Sequence, residues 1–141
     1  MSRTMIAYDG TPSARRALER AVAVHQPGDE ISVIGVAPVV TAGPWSPGIA
    51  PADTDAGNRH DLAEAVQFLA RHGIEATPIE ATGEPAAAIC HEAERRGIDL
   101  LVVGSRNLTG PKRLVLGSVS DQVVHHASCD VLIAKTGQDV D

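Results

Sequence analysis

The segment between residues 104 and 118 combines the residue types that bind anions. Glycines mark both of its ends, and three basic residues lie between them: Arg106, Lys112 and Arg113. No acidic residue occurs from position 100 to position 120. Glycines let the backbone approach a ligand closely, and the amides that begin a helix attract negative charge. The segment is therefore a candidate phosphate-binding loop.

The same segment also has a plain structural interpretation. Glycines are common turn residues, and a basic loop is compatible with a solvated surface. The spacing matches neither GxxxxGK[ST] nor GxGxxG. Ser118 either caps the helix that follows or donates its hydroxyl to a phosphate oxygen. From the residues alone, these alternatives stay open.

Asp9 is the second candidate site residue, because it follows the first apolar run directly. A carboxylate at that edge of a sheet is able to accept a hydrogen bond from a sugar hydroxyl or an adenine amine. In the sequence Asp9-Gly10-Thr11-Pro12 it is also suited to capping the turn into the first helix, the role that the residues alone favour. Both roles remain open.

The other polar residues predict neither a catalytic nor a metal site. His125 and His126 are adjacent, so on a helix they point in different directions and do not readily share one ion. Ser105 and Ser118 lack the GxSxG elbow of a nucleophilic serine. With no general base identifiable, we predict no catalytic residue and no metal ligand.

Apolar runs of strand length alternate with segments of helical spacing along the chain. Thr11 and Pro12 mark the start of the first helix, and Glu84 and Pro85 that of the third. Such alternation predicts an α/β fold with a five-stranded parallel sheet and helices on both faces. The predicted strands are Thr4–Tyr8, Ile31–Val36, Glu75–Glu80, Leu100–Val103 and Val131–Ala134. The predicted second helix runs from about Ala56 to His72, and the fourth follows Gly117 and packs Val119, Val123 and Ala127.

The whole chain, 1–141, is predicted to form one domain. Residues 38–55 hold four prolines, at 38, 44, 47 and 51, and are expected to form a flexible loop after a strand. That loop is either a mobile surface excursion or a lid over a ligand. Residues 137–141 are expected to be a disordered tail.

Composition restricts the partners and the compartment. The 141 residues carry a formal net charge of -6, which argues against a nucleic-acid binder. No apolar segment has the length of a signal peptide or membrane span, so we expect no membrane partner. The two cysteines, Cys90 and Cys129, show no CxxC spacing, and buried reduced thiols in a cytoplasmic protein are expected.

Five short motifs together resemble the universal stress protein family over essentially the whole chain. The resemblance implies a doubly wound three-layer fold of the adenine nucleotide alpha hydrolase type. The motifs are Tyr8–Thr11, Gly83–Ala86, Asp99–Arg106, Leu116–Val119 and Cys129–Ile133.

Nucleotide-binding members of that family have a loop of the form G-x2-G-x9-G-[ST]. Gly104 and Gly117 match its first and third glycines and Ser118 its hydroxyl, while Asn107 replaces the second glycine. The resemblance implies that Asp9 contacts the adenosine and that the strand end near Val36 offers backbone to the adenine. It further implies that the residues around the phosphates are Gly104, Asn107, Gly117, Ser118 and Val119. Arg106 is our own addition, as a counter-charge.

The function implied is that of a stress-response protein that binds ATP, with or without Mg²⁺, and regulates an unidentified protein partner. Hydrolysis is expected to be absent or slow, because no group for phosphoryl transfer is identifiable. A homodimer through the last strand, an exposed apolar edge, is expected. The first alternative is an interaction module of the same fold without a nucleotide. The second is an enzyme of the related hydrolase group.

Overall fold

A computed structural model of the protein describes residues 2–37, 51–105 and 118–135, with the backbone alone at 51–55 and 118. Strands and helices alternate along these ranges as the sequence predicts, and strand bounds differ from the predicted ones by one or two residues. The elements are β1 (Arg3–Ala7), α1 (Pro12–Val24), β2 (Glu30–Ala37), α2 (Pro51–Arg71), β3 (Ala76–Thr82), α3 (Pro85–Arg95), β4 (Leu100–Gly104), α4 (Ser118–His126) and β5 (Asp130–Ala134).

The five strands form one sheet in the order β3-β2-β1-β4-β5, and all neighbouring pairs are parallel. The central strand β1 pairs through Ile6 with Val33 of β2 on one side and with Val102 of β4 on the other. The strand order therefore reverses between β1 and β4. In open parallel sheets this switch point leaves a crevice at the carboxyl ends of the strands.

Each face of the sheet is covered by two helices, so the predicted three-layer fold is confirmed. On one face, Leu18 of α1 and Leu69 of α2 pack against Ile6. On the other, Ile89 of α3 and Val123 of α4 pack against Met5. Because both faces of the three inner strands β2, β1 and β4 are buried, these strands consist of near-continuous apolar runs.

The helix starts at α1 and α3 follow the predicted capping rules. Thr11 Oγ1 accepts a hydrogen bond from the Ala14 amide at 3.2 Å, and the Glu84 carboxylate accepts from the Ala87 amide at 2.9 Å. Each cap is followed by proline, at 12 and 85. These caps fix the direction in which both helices leave the carboxyl edge of the sheet.

One predicted helix bound is wrong. The structure begins α2 at Pro51, not near Ala56, so residues 51–55 of the predicted loop are helical. Proline is tolerated in the first turn of a helix, where its missing N–H is not needed. At the other end of the chain, α4 ends at His126, and the next residue, Ala127, packs against the same core cluster as Val119 and Val123, as predicted. Residues 38–50 and 137–141, for which a loop and a tail were predicted, lie outside the described residues.

Candidate functional site

A cleft of about 620 Å³ lies at the carboxyl edge of the sheet, above the switch point between β1 and β4. We call it the carboxyl-edge cleft. Its strand side is apolar and includes Ile34, Val36 and Val103, and Pro85 and Ile89 of α3 add an apolar wall. The polar side comes from the turn after β1 and the starts of α1 and α4. Its residues are Asp9, Thr11, Ser13 and Ser120. An apolar surface facing a few polar groups is typical of small-molecule sites.

Asp9 both caps the turn into α1 and borders the carboxyl-edge cleft. Its Oδ1 accepts hydrogen bonds from the Thr11 amide at 3.1 Å and the Thr11 hydroxyl at 2.6 Å. No described residue donates a hydrogen bond to Asp9 Oδ2. The capping role is therefore present, and it leaves the second oxygen of the exposed carboxylate for another donor.

Tyr8 anchors the strand end that carries Asp9. Its side chain is buried, and its hydroxyl donates to Glu64 Oε1 of α2 at 2.6 Å. Arg15 of α1 lies 3.5 Å from the other Glu64 oxygen. Burial, and then the bond to Glu64, raise the pKa of Tyr8 to about 12. The strand end at the base of the cleft is therefore attached to α1 and α2 through three polar side chains, those of Tyr8, Arg15 and Glu64.

Asp61 of α2 lies behind the same turn. Gly10, at φ 82°, has so little room that a Cβ there would come within 2.8 Å of Asp61 Oδ1. Burial and the neighbouring charges of Glu64 and Asp9 raise the pKa of the Asp61 carboxyl. A side chain at position 10 would therefore push Asp61 outward and disturb the turn at Asp9.

Gly104 ends β4 in close contact with Ser13 of α1. A Cβ on Gly104 would overlap the backbone and hydroxyl of Ser13. Gly104 also pairs with Ala134 of β5, and the next amide, of Ser105, donates to the Ala134 carbonyl at 3.0 Å. The Ser120 hydroxyl of α4 donates to the Gly104 carbonyl. Gly104 is thus a junction between β4, β5, α1 and α4.

The start of α4 supplies backbone amides at the cleft. The helix begins at Ser118, and Val119 and Ser120 of its first turn line the cleft. The first amides of an α-helix have no partner within the helix and carry the positive end of its dipole. This end of α4 is suited to an anion.

The structure brings four of the eight predicted site residues together on the lining of the cleft: Asp9, Val36, Gly104 and Val119. Ser118 begins α4 beside them, and its backbone alone is described. Arg106, Asn107 and Gly117 lie outside the described residues. Their contacts with a nucleotide all remain predictions.

The lining residues that sequence reasoning did not predict as site residues include Ser13, Pro85, Ile89 and Ser120. Pro85 was predicted only as the start of the third helix, a role it also has, and Ile89 belongs to the buried core as well as to the cleft. Ser120 has a sequence signal, because it follows Gly117-Ser118-Val119 directly, but only the fold shows that its hydroxyl reaches Gly104.

Comparison with known proteins identifies the family. The sequence profile of the universal stress protein family matches residues 1–135. The chain belongs to the universal stress protein family. Universal stress protein YxiE of Bacillus subtilis is 43% identical to it over 74 residues. That match covers 52% of this chain and 50% of the Bacillus protein, so the chain aligns with about half the length of this relative.

Two solved universal stress proteins share the fold at 26% identity each. One, from Arabidopsis thaliana, has AMP bound and superposes with a TM-score of 0.77 over 99% of this chain and 94% of its own. The other is in complex with cAMP, with a TM-score of 0.75 over 96% of this chain and 98% of its own. Some members of this universal stress protein family therefore bind nucleotides.

The remaining predictions concern metals and membranes. Within residues 2–37, 56–105 and 119–135, no three His, Cys, Asp or Glu side chains are grouped so that they could hold a metal ion. No helix in the described part of this universal stress protein has both the length and the hydropathy of a membrane span.

Proposed function

We propose that this chain binds an adenine nucleotide, ATP, in the carboxyl-edge cleft. The observation that carries the proposal is that Asp9, Val36, Gly104 and Val119, from four separate parts of the fold, line one cleft. The AMP and cAMP bound to the two solved relatives are both adenosine phosphates, which supports this class of ligand.

The described residues fit such a ligand. The apolar side at Ile34, Val36 and Val103 suits a planar base. Asp9 Oδ2, to which no described residue donates a hydrogen bond, suits a sugar hydroxyl or an adenine amine. The first turn of α4 suits a phosphate, since its amides are unpaired within the helix. The cleft thus offers one surface of suitable chemistry for each part of ATP, and any Mg²⁺ would be carried with the phosphates.

ATP binding here is regulatory, with hydrolysis absent or slow. Fast phosphoryl transfer needs a positioned base and electrophilic groups around the transferred phosphate. Among the described residues at the cleft, the acidic side chain is Asp9, and we assign its available oxygen to the adenosine and not to the transferred phosphate. We therefore assign the cleft to sensing of the nucleotide, coupled to a protein partner.

The functional unit is a homodimer formed through β5. Of the two edges of the described sheet, β3 carries Pro78, which lacks an N–H, and exposed Thr77 and Glu80. The β5 edge has no proline and presents half-buried aliphatic side chains along Val131–Ile133. Proline and charge discourage edge pairing, whereas an apolar edge favours it.

A cytoplasmic location accords with both cysteines being free thiols.

The second candidate function is a protein-interaction module of the same fold without a nucleotide. Asn107 favours it, because a side chain there stands where nucleotide-binding members have a bare glycine. Asparagine tolerates left-handed backbone better than most residues, which favours retention of the loop shape. Direct binding measurements separate the two functions.

The deciding experiment is a calorimetric titration of ATP with Mg²⁺ into the wild type, Gly117→Glu and Gly57→Glu. Gly117→Glu places bulk and negative charge at the end of the predicted phosphate loop. Gly57→Glu makes the same change on the exposed part of α2, where a Cβ meets nothing within 4 Å. We expect micromolar binding by the wild type and Gly57→Glu and none by Gly117→Glu. If folded wild-type protein gives no heat and no thermal shift, the interaction module is the better account.

A further inference from the structure

Ser120 makes a contact that spans the site. It is 5% exposed, lies in the first turn of α4, and donates its hydroxyl to the carbonyl of Gly104 at the end of β4. The two residues are 16 positions apart, and both line the carboxyl-edge cleft. The bond therefore connects the two ends of the predicted phosphate segment.

The acceptor of this bond is held firmly from two other directions. Gly104 is in register with Ala134 of β5, whose carbonyl also accepts the following amide of Ser105. On its other side, Gly104 lies against Ser13 with no space for a side chain. Ser120 thus joins α4 to a fixed point of the sheet.

The other described contacts of α4 are apolar and are made with the sheet and with α3. Val123, one turn after Ser120, is fully buried in a cluster with Met5 and Leu101 of the sheet. Val119 is partly buried against the same cluster. Apolar burial is non-directional, so it holds the nine-residue helix on the sheet without fixing the direction of its first turn. A hydrogen bond is directional, and the bond from Ser120 is placed to fix that direction.

Ser120 is poorly suited to contact a phosphate itself. Its single hydroxyl proton is engaged by the Gly104 carbonyl, so the oxygen would face an anion with lone pairs only. This geometry is compatible with Ser120 acting on a bound phosphate indirectly, through the position of the first turn of α4.

On the basis of the proposed function, we infer that Ser120 is a positioning residue that aims the first-turn amides of α4 into the carboxyl-edge cleft and so sets the affinity for phosphate groups. Affinity for the adenosine part, which rests on Asp9 and the β2 end, is independent of Ser120.

The test compares the binding of ATP and of adenosine by calorimetry in Ser120→Ala and Ser32→Ala. Ser32 is the matched control, because its hydroxyl also donates to a backbone carbonyl, that of Thr4, but near the opposite ends of the strands. We expect Ser120→Ala to weaken ATP binding about fivefold and to leave adenosine binding unchanged, the loss corresponding to one ordinary hydrogen bond. Ser32→Ala should change neither affinity.

Ser120→Thr, which restores the hydroxyl, should recover most of the ATP affinity. If Ser120→Ala does not fold, Ser120→Cys replaces it, since its weak S–H donor should give a smaller but still ATP-selective loss. An unchanged ATP affinity, or an equal loss for ATP and adenosine, overturns the positioning role and leaves the proposed function standing. Failure of the wild type to bind either compound overturns the proposed function first, and this inference with it.

Discussion

Gly104 and Ser13 are in such close contact that a Cβ built on Gly104 would lie 2.6 Å from the Ser13 carbonyl carbon. The neighbour is backbone in the first turn of α1, so it cannot move aside as a flexible side chain would. The approach of α1 to β4 at the carboxyl-edge cleft therefore depends on glycine at position 104.

Gly104→Ala should destabilise the fold by about 2 kcal/mol, the usual range for overpacking at a rigid site. Gly57→Ala is the control, because it lies in α2 with open space around it. There alanine should stabilise the protein by about 0.5–1 kcal/mol through its better helix propensity. Urea unfolding of both variants measures the difference, and equal stability of Gly104→Ala and the wild type would contradict the contact.

Tyr8 is the single tyrosine of the chain, so its ionisation can be followed directly by the ultraviolet absorbance of tyrosinate. We expect a midpoint near pH 12 in the folded protein, since burial and the bond to Glu64 raise the pKa of Tyr8 to about 12. A tyrosine in an unfolded chain titrates at about pH 10. In the folded protein the Tyr8 hydroxyl keeps its proton to a higher pH than in the unfolded chain. Tyr8 therefore stabilises the folded state below about pH 10, and this contribution is lost as the pH rises through about 12.

Glu64→Gln keeps an acceptor for the Tyr8 hydroxyl but removes the charge, and it should shift the absorbance midpoint downward. A wild-type midpoint near pH 10 would contradict the buried contact. Arg59→Gln is the control, because Arg59 is an exposed residue of the same helix, paired with Glu80 of β3.

The features that sequence predicted well are those governed by neighbouring residues. Thr11-Pro12 and Glu84-Pro85 signalled helix starts because a cap and a proline act within one turn. The inner strands β1, β2 and β4 were found because burial on both faces leaves apolar runs. The start of α2 was missed because Pro51 and the acids after it are compatible with both a loop and a first helical turn.

The cleft itself depends on the order of strands, which local patterns do not contain. Tyr8 and Glu64 are 56 positions apart, and Gly104 and Ser120 are 16 apart. Tyr8 meets Glu64 only once β1 has paired with β2 and α2 has packed over them, and Gly104 meets Ser120 only once α4 has folded back beside the end of β4. The sequence could name Asp9, Val36, Gly104 and Val119 through motifs, but not the α3 wall or the role of Ser120.

Asp9→Asn should weaken ATP and adenosine binding by the same factor, about tenfold, because a charged acceptor is replaced by a neutral one. Asparagine still accepts from Thr11, so the turn into α1 should persist. Asp29→Asn is the matched control: its carboxylate also accepts backbone amides, of Ser2 and Gln26, in a turn that does not line the cleft. Calorimetry with both compounds checks this, and a loss confined to ATP would remove Asp9 from the adenosine side of the site.

The edge strand β5 gives the last prediction. Ile133→Lys places a charge on the half-buried aliphatic edge, and it should convert the proposed homodimer to a monomer because a lysine on an edge strand opposes pairing with another chain. Thr77→Lys makes a similar change on the other edge, β3, at a side chain already exposed, and should leave the assembly unchanged. Sedimentation velocity at micromolar concentration measures both variants, with circular dichroism as the check on folding. A monomeric wild type would remove the dimer, and a dimer lost in Thr77→Lys but kept in Ile133→Lys would move the interface from β5 to β3.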